Sequence, residues 1–167
     1  SATVMAAASG LSVKEVYDLF FDSDLIQRFE AGRLSPQRFY QEVKRLLGFE
    51  MPMREFVTVW NDIFFISEKN RRVQALARSL SRRYPLAVLS NINQLHLDFV
   101  RRHYRIFRPF RHFFASCEEG YVKPHPRIYR RALKRLGARP ERTVYIDDRP
   151  DLIAAARKLG ITGFVFT

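Results

Sequence analysis

Two adjacent carboxylates, Asp147 and Asp148, follow a stretch of strand character in the last part of the sequence. The preceding residues 143–146 read TVYI, and Pro150 follows where a helix can begin. Neighbouring carboxylates repel each other unless a proton or a cation lies between them, so the pair is a candidate site for a hard divalent cation such as Mg²⁺. The alternative is an acidic turn that stabilises a helix N-terminus. These residues taken alone leave both interpretations open.

Polar groups of complementary kinds follow two other short apolar runs. Ser90 and Asn91 end the run LAVL, and Lys123 lies in the loop EEGYVKPHP after the run FFAS. A hydroxyl and backbone N–H groups at a helix start can bind phosphate oxygens. The carboxyl ends of parallel strands meet at one edge of a sheet, so we expect hydroxyl, ammonium and carboxylates to converge there. That combination suits phosphoryl transfer, in which positioning and charge neutralisation supply most of the catalysis.

The elements that must position these groups fall into two parts. Residues 12–64 predict a run of short helices, one of which starts at Ser35 and Pro36 and stops at Gly48. From about residue 70 the pattern changes to alternating helix and strand, which predicts a parallel sheet with right-handed crossovers. We therefore expect an α/β protein with an α-helical unit and a Rossmann-like unit. Their predicted bounds are 1–68 and 69–167.

Four short apolar runs in the second part have the length and composition of buried parallel strands. A helix that starts at Pro126 and ends at Gly137 precedes the third run, and a helix that starts at Pro150 follows it. The predicted strands are LAVL (86–89), FFAS (113–116), TVYID (143–147) and GFVF (163–166).

The composition is that of an ordinary globular protein with an excess of positive charge. The 167 residues include 29 Lys and Arg against 17 Asp and Glu, which gives a net charge of +12 and favours an anionic partner. A single cysteine, Cys117, favours a reducing, cytoplasmic setting, and no apolar run is long enough to predict a membrane helix.

Much of the positive charge lies in two blocks, 71–83 and 101–112, each with five arginines and no acidic residue. Aromatic residues interrupt the second block and could stack on nucleic-acid bases. Both blocks also show the apolar periodicity of packed elements, which a nucleic-acid-binding tail would not need. We therefore favour solvated protein faces as their interpretation and keep nucleic acid as the less favoured partner, behind a small phosphorylated metabolite.

Three segments carry a family resemblance. LAVLSNINQLH, EEGYVKPHPRIYRRAL and TVYIDDRPDLIAAARKLGI resemble, in order and spacing, the second, third and fourth motifs of the haloacid dehalogenase superfamily of phosphohydrolases. The helical part resembles the small α-helical cap of that superfamily. Its segments RFEAGRLSPQRFY and VWNDIF are similar to the cap of the sugar-phosphate phosphatase branch, typified by bacterial glucose-1-phosphate phosphatases.

The resemblance implies roles for the residues at the strand ends. Ser90 would bind the transferring phosphoryl group with Asn91 beside it, and Lys123 would neutralise the charge of the phosphate and of the nucleophile. Asp148 would be the main Mg²⁺ ligand, and Asp147 would contribute directly or through water. Asp151 would support these ligands from outside the metal site.

The first motif of the superfamily, an apolar strand that ends in DxDx[TV] and provides the nucleophilic aspartate, has no counterpart among these residues. Asp22 and Asp24 have the D-x-D spacing but follow a helical pattern, so we do not assign them this role. We expect the nucleophile-bearing central strand to lie outside the sequence.

Two functions are consistent with these observations. The favoured one is a Mg²⁺-dependent phosphatase that acts on a small phosphorylated metabolite, such as a sugar phosphate, through an aspartyl-phosphate intermediate. The alternative is a catalytically inactive relative or fragment that binds nucleic acid or a phosphorylated ligand through its basic surface.

Overall fold

The computed structural model describes residues 2–22 and 24–167. Its first part is helical, and no strand occurs between residues 2 and 61 of the described chain. The helices are α1 (Ala2–Ser9), α2 (Val13–Asp22), α3 (Leu25–Glu30), α4 (Pro36–Leu47) and α5 (Met53–Asn61). The side chain of Asp22, one half of the D-x-D spacing, lies outside the described residues, and Asp24 is the residue that precedes α3.

The predicted limits of α4 are confirmed, and each has a local cause. The Ser35 hydroxyl accepts a hydrogen bond from the backbone N–H of Arg38 at 3.2 Å, and Pro36 occupies the first turn. Gly48 ends the helix in the left-handed conformation, with φ of 67°.

Aromatic side chains form the centre of the helical part. Phe29 stacks on Phe39 with ring centroids 4.1 Å apart, and Trp60 meets Phe39 edge-on at 4.9 Å. Phe56 packs between Phe39 and Trp60, and all three phenylalanines are at most 1% exposed. Burial of such rings is the dominant stabilising term for a unit of this size. The helical part therefore closes its own apolar core.

Helices and strands alternate in the second part, as predicted. Its helices are α6 (Glu68–Leu80), α7 (Gln94–His103), α8 (Ser116–Glu119), α9 (Pro126–Leu136) and α10 (Pro150–Arg157). Its strands are β1 (Ala87–Ser90), β2 (His112–Ala115), β3 (Val144–Asp147) and β4 (Thr162–Val165), and short 3₁₀ helices cover Arg105–Phe107 and Pro140–Arg142. None of the described helices is long and apolar enough to cross a membrane.

The strands form two parallel pairs. β1 pairs with β2, with Ser90 opposite Ala115, and β3 pairs with β4, with Asp147 opposite Val165. Each pair belongs to a separate sheet in the described structure, and the apolar side chains of Val144 and Ile146 on β3 are 60% and 56% exposed. The mixed α/β class with parallel strands is confirmed, while the boundary between residues 68 and 69 stays a prediction.

His96, in the first turns of α7, connects the two parts. Its ring stacks on Trp60 at 5.3 Å, and its Nε2 lies 3.1 Å from the Trp60 carbonyl oxygen. Asn93 caps the same helix by accepting a hydrogen bond from the His96 backbone N–H. Burial lowers the pKa of His96 to about 4, so the ring is neutral at neutral pH. The residues after β1 are thereby fixed against the helical part.

Candidate functional site

The Lys123 ammonium lies at the point where the ends of β1 and β3 approach each other. Its Nζ donates to the Leu89 carbonyl oxygen at 3.1 Å and to Asp147 Oδ2 at 2.7 Å, and it lies 3.0 Å from the Tyr145 hydroxyl oxygen. The side chains of Lys123 and Asp147 are 7% and 10% exposed. An ammonium has three protons, so these three protein atoms use all of them.

Ser90, the last residue of β1, and Asn91 directly follow Leu89, whose carbonyl oxygen binds this lysine. Asn91 clamps the lysine loop with both ends of its amide: Nδ2 donates to the Lys123 carbonyl oxygen at 3.0 Å, and Oδ1 accepts from the Lys123 backbone N–H at 2.7 Å. The half-buried Ser90 hydroxyl lies 3.4 Å from the Asn91 carbonyl oxygen. Asn91 thus holds the backbone of the lysine loop, whereas the Ser90 side chain lines a separate, largely apolar pocket with Val88 and Ile92.

The neighbouring aspartates have different environments. Asp147 Oδ2 accepts from Lys123 and from the Tyr145 hydroxyl, and Oδ1 accepts from the backbone N–H of Arg149 at 3.1 Å. Burial raises the pKa of Asp147, but the hydrogen bonds from Lys123 and Tyr145 outweigh it and hold the pKa below its usual value. Asp148 is exposed. Asp147 is the last residue of β3, whereas Asp148 lies in the bend that follows the strand.

Tyr145 is a site residue that the sequence reasoning did not find. Its hydroxyl donates to Asp147 Oδ2, and its ring packs edge-on against Tyr129 with centroids 5.6 Å apart. Burial and the hydrogen bond to Asp147 raise the pKa of its hydroxyl, which stays protonated. The available signal was the spacing, because residues i and i+2 of a strand share a face and Tyr145 therefore lies beside Asp147.

Asp151 lies at the edge of this arrangement. It is in the first turn of α10 and forms a two-point ion pair with Arg149, with Oδ2 2.6 Å from Nη2 and Oδ1 3.1 Å from Nε. Both side chains are more than half exposed. Asp151 is therefore connected to Asp147 through Arg149, whose backbone N–H binds Asp147.

Comparison with known proteins decides the family. The model of the haloacid dehalogenase-like hydrolases matches residues 65–160, which is more than half of the chain and includes Ser90, Lys123 and both aspartates. This chain belongs to the haloacid dehalogenase-like hydrolases.

Individual relatives of this hydrolase include two phosphatases. A sesquiterpene phosphatase from Aspergillus oryzae is 24% identical over 147 residues, which cover 87% of this chain and 74% of the relative. A D-ribitol-5-phosphate phosphatase from Bacteroides thetaiotaomicron is 25% identical over 153 residues, which cover 88% and 73%. The predicted link to the glucose-1-phosphate phosphatase branch stays a prediction.

A solved structure agrees with the fold of this hydrolase. A haloacid dehalogenase family enzyme from Bacteroides thetaiotaomicron, in complex with magnesium and inorganic phosphate, superimposes with a TM-score of 0.82. The match covers 92% of this chain and 80% of that chain at 22% identity, so the likeness concerns the fold.

The helical part of the hydrolase reaches the site. Glu30, at the end of α3, is close enough to Lys123 and Arg149 for both cations to lower its pKa, although burial has the larger effect and raises that pKa overall. The turn after α3 lies against α8, since a Cβ at Gly32 would be 2.1 Å from the Cys117 carbonyl oxygen. This position requires glycine because its φ is also positive, at 69°.

A cavity of about 530 Å³ lies between the lysine loop and this turn of the helical part. The helical part contributes Gln27, Arg28 and Arg33, and the lysine loop contributes Gly120 through Pro126, including Lys123. Arg28 is paired with Asp24 and Glu42 at 3.4 and 3.5 Å. The walls are therefore polar and charged, as a pocket for a hydrophilic molecule requires.

The two aspartates carry oxygen donors of the kind that Mg²⁺ prefers. Mg²⁺ prefers six oxygen ligands in octahedral geometry, several of them waters. Asp148 is exposed, whereas both oxygens of Asp147 already accept hydrogen bonds, Oδ2 from Lys123 and Tyr145 and Oδ1 from the Arg149 backbone N–H. Among residues 2–22 and 24–167 no group of three or more His, Cys, Asp or Glu side chains could hold a metal.

Proposed function

We propose that this protein is a Mg²⁺-dependent phosphatase that hydrolyses a small phosphorylated metabolite, such as a sugar phosphate, through an aspartyl-phosphate intermediate. The observation that carries this proposal is the buried Lys123 ammonium, held between the Leu89 carbonyl oxygen near the end of β1 and Asp147 at the end of β3. A fixed cation at this position suits a phosphoryl group, whose charge must be neutralised during transfer. Membership of the hydrolase family and the two phosphatases among the relatives support it.

In this proposal each residue of the site has a separate task. Lys123 neutralises the phosphate, and the Ser90 hydroxyl binds one of its oxygens. Asn91 fixes the loop that carries Lys123 through two hydrogen bonds to the loop backbone. Since Lys123 already donates to three protein atoms, a phosphate oxygen would have to replace one of them or share a proton with it.

Magnesium would be held by the exposed Asp148, with Asp147 contributing directly or through water. When bound, the ion would offset the negative charge of the phosphate group. The related enzyme solved with magnesium and inorganic phosphate supports the choice of metal. Asp151 would act through Arg149, whose orientation it fixes by a two-point ion pair.

The mechanism needs an aspartate nucleophile, and Asp147 is the only aspartate at the end of a described strand. Asp147 is engaged by Lys123 and Tyr145, so we place the nucleophile outside these 167 residues. The helical unit, residues 1–68, would act as the cap. Its residues Gln27, Arg28 and Arg33 would contact the part of the substrate that is not phosphate.

The proposal is tested by measuring hydrolysis of para-nitrophenyl phosphate. The protein is expressed with the coding sequence that precedes Ser1. We expect activity that requires Mg²⁺, is abolished by EDTA, and falls by about 100-fold or more in Asp148→Asn. Asp98→Asn is the matched control, because Asp98 is an exposed aspartate on α7 that binds Gln94.

Two results would contradict the proposal. Turnover without a metal ion would contradict the proposed role of magnesium. Equal rates for Asp148→Asn and Asp98→Asn would contradict the proposed role of Asp148 in the site. Phosphate binding without turnover in the same protein would instead favour the inactive, anion-binding alternative.

A further inference from the structure

A groove on the surface of the second part combines arginines with aromatic rings. It has a volume of about 380 Å³ and lies at the end of α7 and along the 3₁₀ helix that follows. We call it the arginine groove. Its lining residues are Arg101, Arg102, Tyr104, Arg105, Phe107, Arg108, Phe110 and Phe113.

The positive charge of the arginine groove is largely uncompensated. Arg101 is bound by Glu118 through two hydrogen bonds of 2.6 and 3.0 Å. Within the described part of the chain, Arg102, Arg105 and Arg108 form no ion pair, and all three are exposed. None of the lining residues is acidic. Helix α6, which carries part of the other arginine block, packs against the 3₁₀ helix Arg105–Phe107, and its Arg71 and Arg72 are paired with Glu68.

The aromatic residues give the groove firm, half-buried walls. Phe107 and Phe113 pack edge-on at 5.2 Å, and the Tyr104 hydroxyl donates to the Phe64 carbonyl oxygen at 2.9 Å. The Phe110 ring, also half-buried, has no aromatic partner among the described residues. A ring that is fixed on one side and partly open on the other can receive a flat base by stacking.

We propose that the arginine groove binds single-stranded nucleic acid, independently of the phosphatase function. Arg102, Arg105 and Arg108 contact successive phosphates, and an unpaired base stacks on Phe110. An acidic peptide would use the arginines but not the rings. In a duplex the faces of the bases are covered by their neighbours, so only a single strand offers both phosphates and open base faces.

The test measures binding of a fluorescein-labelled twelve-nucleotide oligothymidylate by fluorescence anisotropy at several salt concentrations. The groove variant is Arg105→Gln with Arg108→Gln, and the matched control is Arg130→Gln with Arg142→Gln. The control arginines are also exposed and form no ion pair in the described structure, so both double variants lose the same charge. Phe110→Leu tests stacking with little change in apolar volume.

We expect the groove variant to bind about tenfold more weakly than the control and to reduce the slope of log affinity against log salt by about 1.4. Phe110→Leu should weaken binding of the oligonucleotide by about fivefold or more and leave binding of inorganic polyphosphate unchanged. Equal affinities of the two double variants would overturn the assignment of the groove. Polyphosphate that binds as tightly as the oligonucleotide would overturn the stacking. A mononucleotide that competes at the same concentration would overturn the single-strand assignment.

Discussion

Two carboxylates in the second part are buried against a cation, but the two pairs are built differently. In the Asp147–Lys123 pair both side chains are buried, at 10% and 7% exposed. In the Glu119–Arg135 pair the carboxylate is 7% exposed whereas the arginine is 58% exposed. Arg135 also packs over the ring of Phe114, and Arg131 donates to the Glu119 carbonyl oxygen. The first pair lies at the ends of β1 and β3, and the second lies between α8 and α9.

The two pairs differ in how much free energy it costs to bury their charges. Removing both charges from water costs several kcal/mol per ion, and only good geometry with additional hydrogen bonds offsets this. Lys123 and Asp147 have those hydrogen bonds from Leu89, Tyr145 and Arg149. Arg135 keeps its guanidinium in water and avoids most of that cost. The burial of both charges at the strand ends agrees with the proposed role of Lys123 in binding phosphate.

Removal of Lys123 should have the largest effect on stability. Lys123→Met leaves Asp147 buried without its cation, and we expect the free energy of unfolding to fall by about 3–5 kcal/mol in urea titrations. In the double variant with Asp147→Asn the uncompensated charge is gone, so most of the loss should be recovered. A double variant no more stable than Lys123→Met would show that packing, not charge, explains the effect.

Tyr145→Phe should have an intermediate effect. The variant removes the hydroxyl that donates to Asp147 and accepts from Lys123, and we expect a loss of about 1.5–3 kcal/mol, the range for hydrogen bonds to charged groups. Tyr104→Phe is the control, since its hydroxyl donates to the neutral Phe64 carbonyl oxygen at 2.9 Å and should contribute about 1 kcal/mol. Thermal or urea unfolding of both variants checks the order, and the reverse order would contradict the network around Asp147.

Arg135→Met should have the smallest effect. More than half of the guanidinium is in water, so solvent screens the pair and we expect a loss of about 1 kcal/mol or less. Methionine retains the apolar contact with Phe114. Urea unfolding of Arg135→Met next to Lys123→Met measures the difference between the two pairs, and equal losses would refute it.

Much of the fold could be predicted because local signals agreed with the tertiary structure. Pro126 and Gly137 mark the limits of α9, and the four predicted strands lie within one residue of the observed ones. The short helices α1 and α3 were not predicted individually. Helix α1 is a run of small apolar residues without caps or periodicity, and α3 has only six residues.

The site was predictable in its members but not in their arrangement. The Lys123 side chain links the ends of β1 and β3, which belong to separate sheets, by donating to the Leu89 carbonyl oxygen and to Asp147. Sequence neighbours cannot show that Lys123 reaches the Leu89 carbonyl oxygen, 34 residues away. They also treat Asp147 and Asp148 as equivalent, whereas Asp147 shares a face of β3 with Tyr145 and Asp148 is exposed in the bend after the strand.

The most direct test of the central claim compares phosphatase activity after removal of each cation. We would measure Mg²⁺-dependent hydrolysis of para-nitrophenyl phosphate by Lys123→Met, by Lys123→Met with Asp147→Asn, and by Arg135→Met. Each variant is expressed with the coding sequence that precedes Ser1, and its folding is verified by circular dichroism. We predict that kcat/KM falls by about 100-fold or more in both Lys123 variants and stays within about twofold of the unmodified protein in Arg135→Met. Activity retained in a folded Lys123 variant would contradict the assignment of the phosphate site.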